Sequence, residues 1–526
     1  MGGLYISLRR FTRYCTFLGL FFFVVTIVSF GCTTPVRKVP ENELRRRIVP
    51  AVPTPPNMPE KISADPSSSD LKSSVQKDLP SHSTATQALK NQPKGVPRLS
   101  APFPPPAALS LGQSILYAKK YNPRLRVLRE RVKQAHAGKQ IAFSAFLPEA
   151  MFSYRTLWGS NKFDLPTVPS LLGNMAYGES ADRFRSAELN LQWVLWDFGQ
   201  TPGRYEQARA ARDIAELQYS RGIQTVVFNT TSAYFTLLQK KAMGRVAEES
   251  VRRAESLLRD ARNFREQGTA VQNDVLQAEV LLAEMQLVRV SVRTAEMIAL
   301  ANLNRIMGVH VSSHTEIADV TAAPAFSRSL ETCLQQAVDF RDEFRSVLKA
   351  ISSSQWGLAA SKARFLPRII AGGTGAHHGG QTSSDTYLFA GGVKIELSLF
   401  EGTRRYGELE KSRAEVRETM ARAEEVADGI AFEVIVAYVG IQEAREGITY
   451  SETAVNRGKE NLKVLRHMFE QGDATATDVI DAEWALLRAK EHYYKSLYQY
   501  RMALAQLDYA VGAPPAEPSP VVSRAR

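Results

Sequence analysis

Residues 187–197 read Ala-Glu-Leu-Asn-Leu-Gln-Trp-Val-Leu-Trp-Asp, and residues 391–401 read Gly-Gly-Val-Lys-Ile-Glu-Leu-Ser-Leu-Phe-Glu. In the first stretch Leu189, Leu191, Trp193 and Leu195 enclose the polar Asn190 and Gln192. In the second, Val393, Ile395, Leu397 and Leu399 alternate with Lys394, Glu396 and Ser398. Period two predicts strands with one greasy and one wet face. The two stretches are copies of each other: Leu195-Trp196-Asp197 answers Leu399-Phe400-Glu401 at an offset of 204.

That offset continues downstream. Glu266-Gln267-Gly268 answers Glu470-Gln471-Gly472, Asp274-Val275-Leu276 answers Asp478-Val479-Ile480, and Gly308 answers Gly512. Upstream the offset is 219. There Leu111, Ala118, Leu125 and Leu128 answer Leu330, Ala337, Phe344 and Val347, and Phe146-Leu147-Pro148 answers Phe365-Leu366-Pro367. An ungapped match over more than 100 residues marks a duplication. The change of offset falls between the two motifs and predicts a loop of different length there.

Each copy also supplies a partner strand after its Phe-Leu-Pro, near 150–157 and 369–375, with loops at 159–185 and 379–386. Gly372 to Gly380, which includes His377-His378, reads as loop. It lacks the lysine and spacing of a phosphate loop. No proline occurs between Pro202 and Pro324 or between Pro367 and Pro514. Arg204 to Arg265 therefore predicts one helix of roughly 90 Å, far beyond the globular norm. Leu486, Tyr493, Leu497, Tyr500, Leu504, Leu507 and Val511 form a coiled-coil-like seam. Gly268 and Gly472 mark turns between antiparallel helices. The unit is helix, strand, strand, long helix, turn, helix.

The first 106 residues differ from this body. Arg9, Arg10 and Arg13 precede an apolar run from Phe17 to Phe30, an export signal over residues 1–31. Cys32 stands where a lipoprotein signal is cut and the cysteine acylated; ordinary cleavage and retention as an anchor helix are the alternatives. Residues 33–106 hold 15 of the 26 prolines, so 32–106 reads as a disordered, lipid-anchored linker. Residues 1–106 together carry 14 of the 66 Lys+Arg against 6 of the 54 Asp+Glu. The net charge of +12 thus comes mostly from outside the body and does not indicate nucleic-acid binding. Three cysteines give neither a disulfide framework nor a metal set. We find no nucleophile elbow, HExxH or CxxC, hence no enzyme site and no cofactor. Repeat 1 spans 107–320, repeat 2 spans 327–513, and 514–526 is a disordered tail.

Strands of about ten residues match a membrane β-barrel segment, and lipid forbids an open sheet edge. Four strands are too few to close, so the chain must share a barrel with copies of itself; a soluble sheet with helical arms is the alternative. The duplicated order, Asn122-Pro123 after Ala118, and the Gly268 and Gly472 turns followed by Asp-Val resemble the TolC family of outer-membrane factors over residues 107–513. The resemblance implies a mainly α fold with transmembrane β: a homotrimer with a twelve-stranded β-barrel in the outer membrane of a Gram-negative-type envelope, continued by a periplasmic α-helical barrel. It implies an exit duct for small toxic compounds, fed by an inner-membrane transporter through a periplasmic adaptor and seated among outer-membrane lipids. A type I protein secretion channel and a non-conducting envelope scaffold are the alternatives.

By the same resemblance, Asp478 and Asp481 form an acidic ring that narrows the periplasmic entrance, with Asp274 as a gate partner. Crowded carboxylates there would attract cations; the plainer reading is an acid at a helix N-terminus. Gln277 stands opposite Asp481, so the ring belongs mainly to repeat 2. Asp473 and Ala474 occupy the place where the family often has a basic residue. Gln267, Gly268, Thr269, Gln471, Gly472 and Asp473 are adaptor-docking tips, or simply exposed polar turns. Trp193, Trp196 and Phe400 are expected in an aromatic girdle or in strand-end packing.

Overall fold

A computed structural model describes residues 41–49, 108–158, 183–268, 271–319, 325–380 and 385–512. The export signal, Cys32, Thr269 and the 514–526 tail lie outside these residues.

The duplication sets the architecture. Repeat 1 runs α2 (Leu111–Tyr121), α3 (Pro123–Ser144), β1 (Glu149–Trp158), β2 (Arg183–Trp196), α4 (Gln200–Glu266) and α5 (Gln272–Met307). Repeat 2 runs α6 (Leu330–Phe340), α7 (Asp342–Ala363), β3 (Arg368–Gly380), β4 (Thr386–Glu396), α8 (Arg404–Gln471) and α9 (Ala476–Val511). At 67 and 68 residues, α4 and α8 are each about 100 Å long. Beside α4 lie the shorter α3 and α5; beside α8 lie α7 and α9. The repeats join where α7 and α9 pack on α4. No helix among the described residues is long and apolar enough to cross a membrane.

The four strands form one antiparallel sheet in the order β1-β2-β3-β4. Sequence reading placed Gly372 to Gly380 in a loop, but this stretch is most of β3. The ladder runs from His378↔Thr386 to Arg368↔Glu396, so β2 and β4 hydrogen-bond the glycine-rich segment on both sides. Conversely, Leu397 and Leu399 fall beyond the end of β4, and their stretch is irregular.

Helix ends follow local chemistry. Asn122 closes α2 and opens α3: its backbone N–H donates to Ala118 O, and its Oδ1 accepts from Arg124 N at 2.8 Å. Pro123 at the first helical position has no N–H to leave unpaired. Gly268 and Gly472 take φ of +78° and +81°, the left-handed conformation that ends a helix most cheaply on glycine. At the second turn the N–H of Asp473 closes the cap on Met468 O at 2.9 Å.

Part of the expected linker is ordered. Residues Glu41–Ile48 form a helix, α1, rather than disordered chain. Leu44 and Ile48 are buried in the repeat 2 core beside Cys333, Leu334 and Phe344. Arg45 pairs with Asp339 at 3.0 Å, and Arg47 reaches Glu424 at 2.8 Å and Asp428 at 3.2 Å.

Candidate functional site

The sheet has two chemically distinct faces. Strand register places Phe152 beside Leu189, Leu189 beside Gly375, and Gly375 beside Phe389. The next rows on that face carry Leu191 beside Gly373, and Trp193, Ala371 and Val393. These large side chains stay open in the single chain: Phe152 is 69% exposed and Phe389 83%. Alternate positions on the other face are Ser153, Glu188, Asn190, Gln192, Thr374 and Lys394. Thr374 Oγ1 donates to Asn190 Oδ1 there at 2.8 Å. The outer edges of β1 and β4 have no strand partner among the described residues. An apolar face and two free edges suit a segment of a closed barrel in lipid. Trp193 also takes a packing role at the strand end, its indole Nε1 donating to Phe146 O at 2.8 Å. Trp196 and Phe400 are exposed.

At mid-length a buried polar knot ties the repeats together. Arg341, 2% exposed, stands at the α6–α7 joint where repeat 1 has Asn122. Asn122 Nδ2 donates to Ile306 O at 2.7 Å; Arg341 Nη1 donates to Ala510 O, the matching carbonyl, also at 2.7 Å. Arg341 further pairs with Glu433 at 2.7 Å and Glu343 at 3.2 Å. Arg221 enters from α4, pairs with the other oxygen of Glu343, and stacks 3.6 Å over the Tyr509 ring. Burial pushes the Arg221 pKa down, as does the nearby Arg341 charge. Sequence reading missed this knot. Its only signal was Arg341 replacing Asn122 at an otherwise matching joint.

Toward the tips the two helical hairpins share an apolar core that includes Leu257, Val275, Phe469 and Val479. Phe264 meets Phe469 edge-on at 5.6 Å. Ion pairs lock the flank: Arg253 on Glu483 at 2.8 Å and Lys490 on Glu249 at 2.7 Å. The Lys490 contact holds the Glu249 pKa below the ordinary carboxylate range.

The expected gate acids lie just beyond that core. Asp478 is exposed and caps its own helix: its Oδ2 accepts from Thr475 N at 2.9 Å and Thr475 Oγ1 at 2.6 Å. The Thr475 hydroxyl, then its amide, lowers the Asp478 pKa. The cap therefore persists above the ordinary carboxyl pKa and is lost as pH falls through the depressed one. Asp274 makes the matching contact, accepting from Val271 N at 3.2 Å. Asp481, one turn on, is exposed. Gln277, its counterpart in repeat 1, accepts from Thr477 Oγ1 at 2.6 Å and links the two hairpins. Gln267, Gly268, Gln471, Gly472 and Asp473 are all exposed at the two turns.

An amphipathic sheet with open edges, set on paired helices of this length, has the form of a β-barrel segment carried on a helical shaft. The chain matches the outer membrane efflux protein family over residues 116–309 and 333–513. It is 24% identical over 442 residues to Protein CyaE of Bordetella pertussis, covering 80% of this chain and 88% of that one. It is 21% identical over 398 residues to the alkaline protease secretion protein AprF of Pseudomonas aeruginosa, covering 72% and 80%. In fold it resembles the Campylobacter jejuni CmeC outer membrane channel, with a TM-score of 0.67 and 18% identity over 76% of this chain and 85% of that chain. The Vibrio cholerae outer membrane protein VceC gives 0.65 and 18% over 76% and 96%. The protein belongs to the outer membrane efflux protein family and is an outer-membrane exit duct.

Proposed function

We propose that three copies close their sheets into one twelve-stranded barrel and their helices into a periplasmic tunnel. The duct then carries small toxic compounds delivered by an inner-membrane transporter through a periplasmic adaptor. The observation that carries this reading is the sheet of four strands of 10–14 residues, apolar on one face, with two edges unpaired among the described residues. Lipid permits such strands only in a closed barrel, and four cannot close.

In this reading Asp478 and Asp481 of three chains form the acidic ring at the entrance, with Asp274 beside it. Six carboxylates around one axis favour cations. Helix capping and the ring are compatible, because the Asp478 carboxylate stays exposed and ionised. The two turns, Thr269 included, receive the adaptor, and acylated Cys32 holds the N-terminal segment in the membrane.

A second reading, export of a protein by a type I system, is favoured by the likeness to AprF, an alkaline protease secretion protein. Deleting the gene separates the two. The efflux reading predicts that cells become more susceptible to hydrophobic toxic compounds while their secreted proteins stay unchanged. Unchanged susceptibility with loss of one exported protein would replace efflux with secretion.

A further inference from the structure

The duplication supplies a template for a contact between copies. Helices α3 and α7 correspond at an offset of 219, α4 and α8 at 204, and the observed helix starts agree with both. Within the chain α7 packs along α4, joining repeat 2 to repeat 1. Two ion pairs mark that seam: Arg221 with Glu343, and Lys349 with Asp213 at 3.1 Å. Gly203 fits the close approach, since a Cβ there would lie 2.9 Å from Ala360 Cβ.

The other two faces, α3 and α8, do not pack on each other within the chain. Transferring the seam onto them maps Arg221 to Glu425, Glu343 to Arg124, Asp213 to Arg417 and Lys349 to Glu130. Both pairs remain complementary, and both are reversed in sign. All four side chains are exposed. Arg124 and Glu425 have no ion-pair partner among the described residues. Glu130 meets Lys133 at 2.8 Å and Arg417 meets Glu410 at 3.3 Å, both exposed pairs of little energetic weight. The glycine side of the close approach transfers, and meets a larger partner. Gly203 maps to Gly407, which has open space around it, and Ala360 maps to Ile141, 73% exposed. Tyr509, over which Arg221 stacks, maps to Arg305, which with Arg124 lines a groove of about 490 Å³ in repeat 1.

We infer that α3 of one copy docks on α8 of the next, with Glu425 of the neighbouring copy entering this groove between Arg124 and Arg305, and with Glu130 meeting Arg417. The inference rests on the ring of copies proposed above and adds its register. Sign reversal also has a purpose. The two seams are alike in shape, so an α3 face fits an α4 face sterically. That mismatch sets Arg124 against Arg221 and Glu130 against Asp213. An α7 face on an α8 face sets Glu343 against Glu425 and Lys349 against Arg417. Like charges penalise both mixtures and so disfavour exchange of the two seams between copies during assembly.

The test is a charge-swap cycle on the full-length, detergent-extracted protein, with oligomeric state followed by native mass spectrometry on dilution. Arg124→Glu and Glu425→Arg are each expected to weaken the oligomer about tenfold or more, and the double variant to recover most of the loss. The Glu130→Arg/Arg417→Glu cycle is expected to give the same pattern and covers the case in which a first variant misfolds. Singles that assemble like wild type, or doubles whose losses merely add, would overturn the inference while leaving the ring intact. A folded wild-type protein that stays monomeric would overturn the ring itself and this register with it.

Discussion

Replacing Arg341 with alanine is expected to destabilise the protein by about 3 kcal/mol or more, one of the largest single-residue losses available in the body. Its guanidinium is almost wholly buried and serves Glu433, Glu343 and the carbonyl of Ala510. Removing it leaves the carbonyl without its donor and Glu343 with Arg221 alone. Half-exposed Glu433 recovers water, which keeps the expected loss at the lower end for a broken buried pair. The loss should appear as a lower thermal midpoint in detergent. Asn122→Ala removes one neutral contact to Ile306 O and one helix cap, and is expected to cost about 1–2 kcal/mol. Equal losses at the two positions would show that the Arg341 knot adds nothing to an ordinary cap.

The second large effect belongs to the sheet. Leu191→Arg is expected to cost about 2 kcal/mol in a bilayer, between the interfacial and midplane penalties for a cation on the lipid face of a barrel. Leu191 sits between Ala150 and Gly373 in the register, within the apolar face. Asn190→Arg, one residue away on the opposite face, loses its contact with Thr374 and is expected to cost about 1 kcal/mol. Folding titrations into lipid vesicles measure both. Equal tolerance at 190 and 191 would mean that neither face meets lipid.

Much of this was legible because the chain states its plan twice. Period-two alternation at 189–195 located β2, and the constant offset carried that reading to β4. The long proline-free stretches located α4 and α8, and glycine at 268 and 472 located the turns. What failed did so for identifiable reasons. Gly372 to Gly380 reads as loop because glycine packs poorly in strands. It becomes strand because β2 and β4 supply hydrogen bonds on both sides, and the Phe389 ring lies over Gly375, 3.3 Å from where a Cβ would stand. Helix α1 is hidden because eight residues are too few to be helical alone. Its stability comes from docking Leu44 and Ile48 into a core some 300 positions away in sequence, a contact no local pattern records. The knot at Arg341 is equally non-local. Among the site residues, the position of Asp478 after its turn was readable. Its dual engagement by Thr475 emerges only from the geometry of the cap.

Single-channel recording from the purified full-length protein in planar bilayers tests the conduit most directly. Discrete conductance steps with a preference for cations are expected. An Asp478→Asn/Asp481→Asn variant, which retains acceptor oxygens at both positions, should keep conducting and lose that preference. Folded, oligomeric protein that inserts and passes no current would contradict the duct and leave an envelope scaffold in its place.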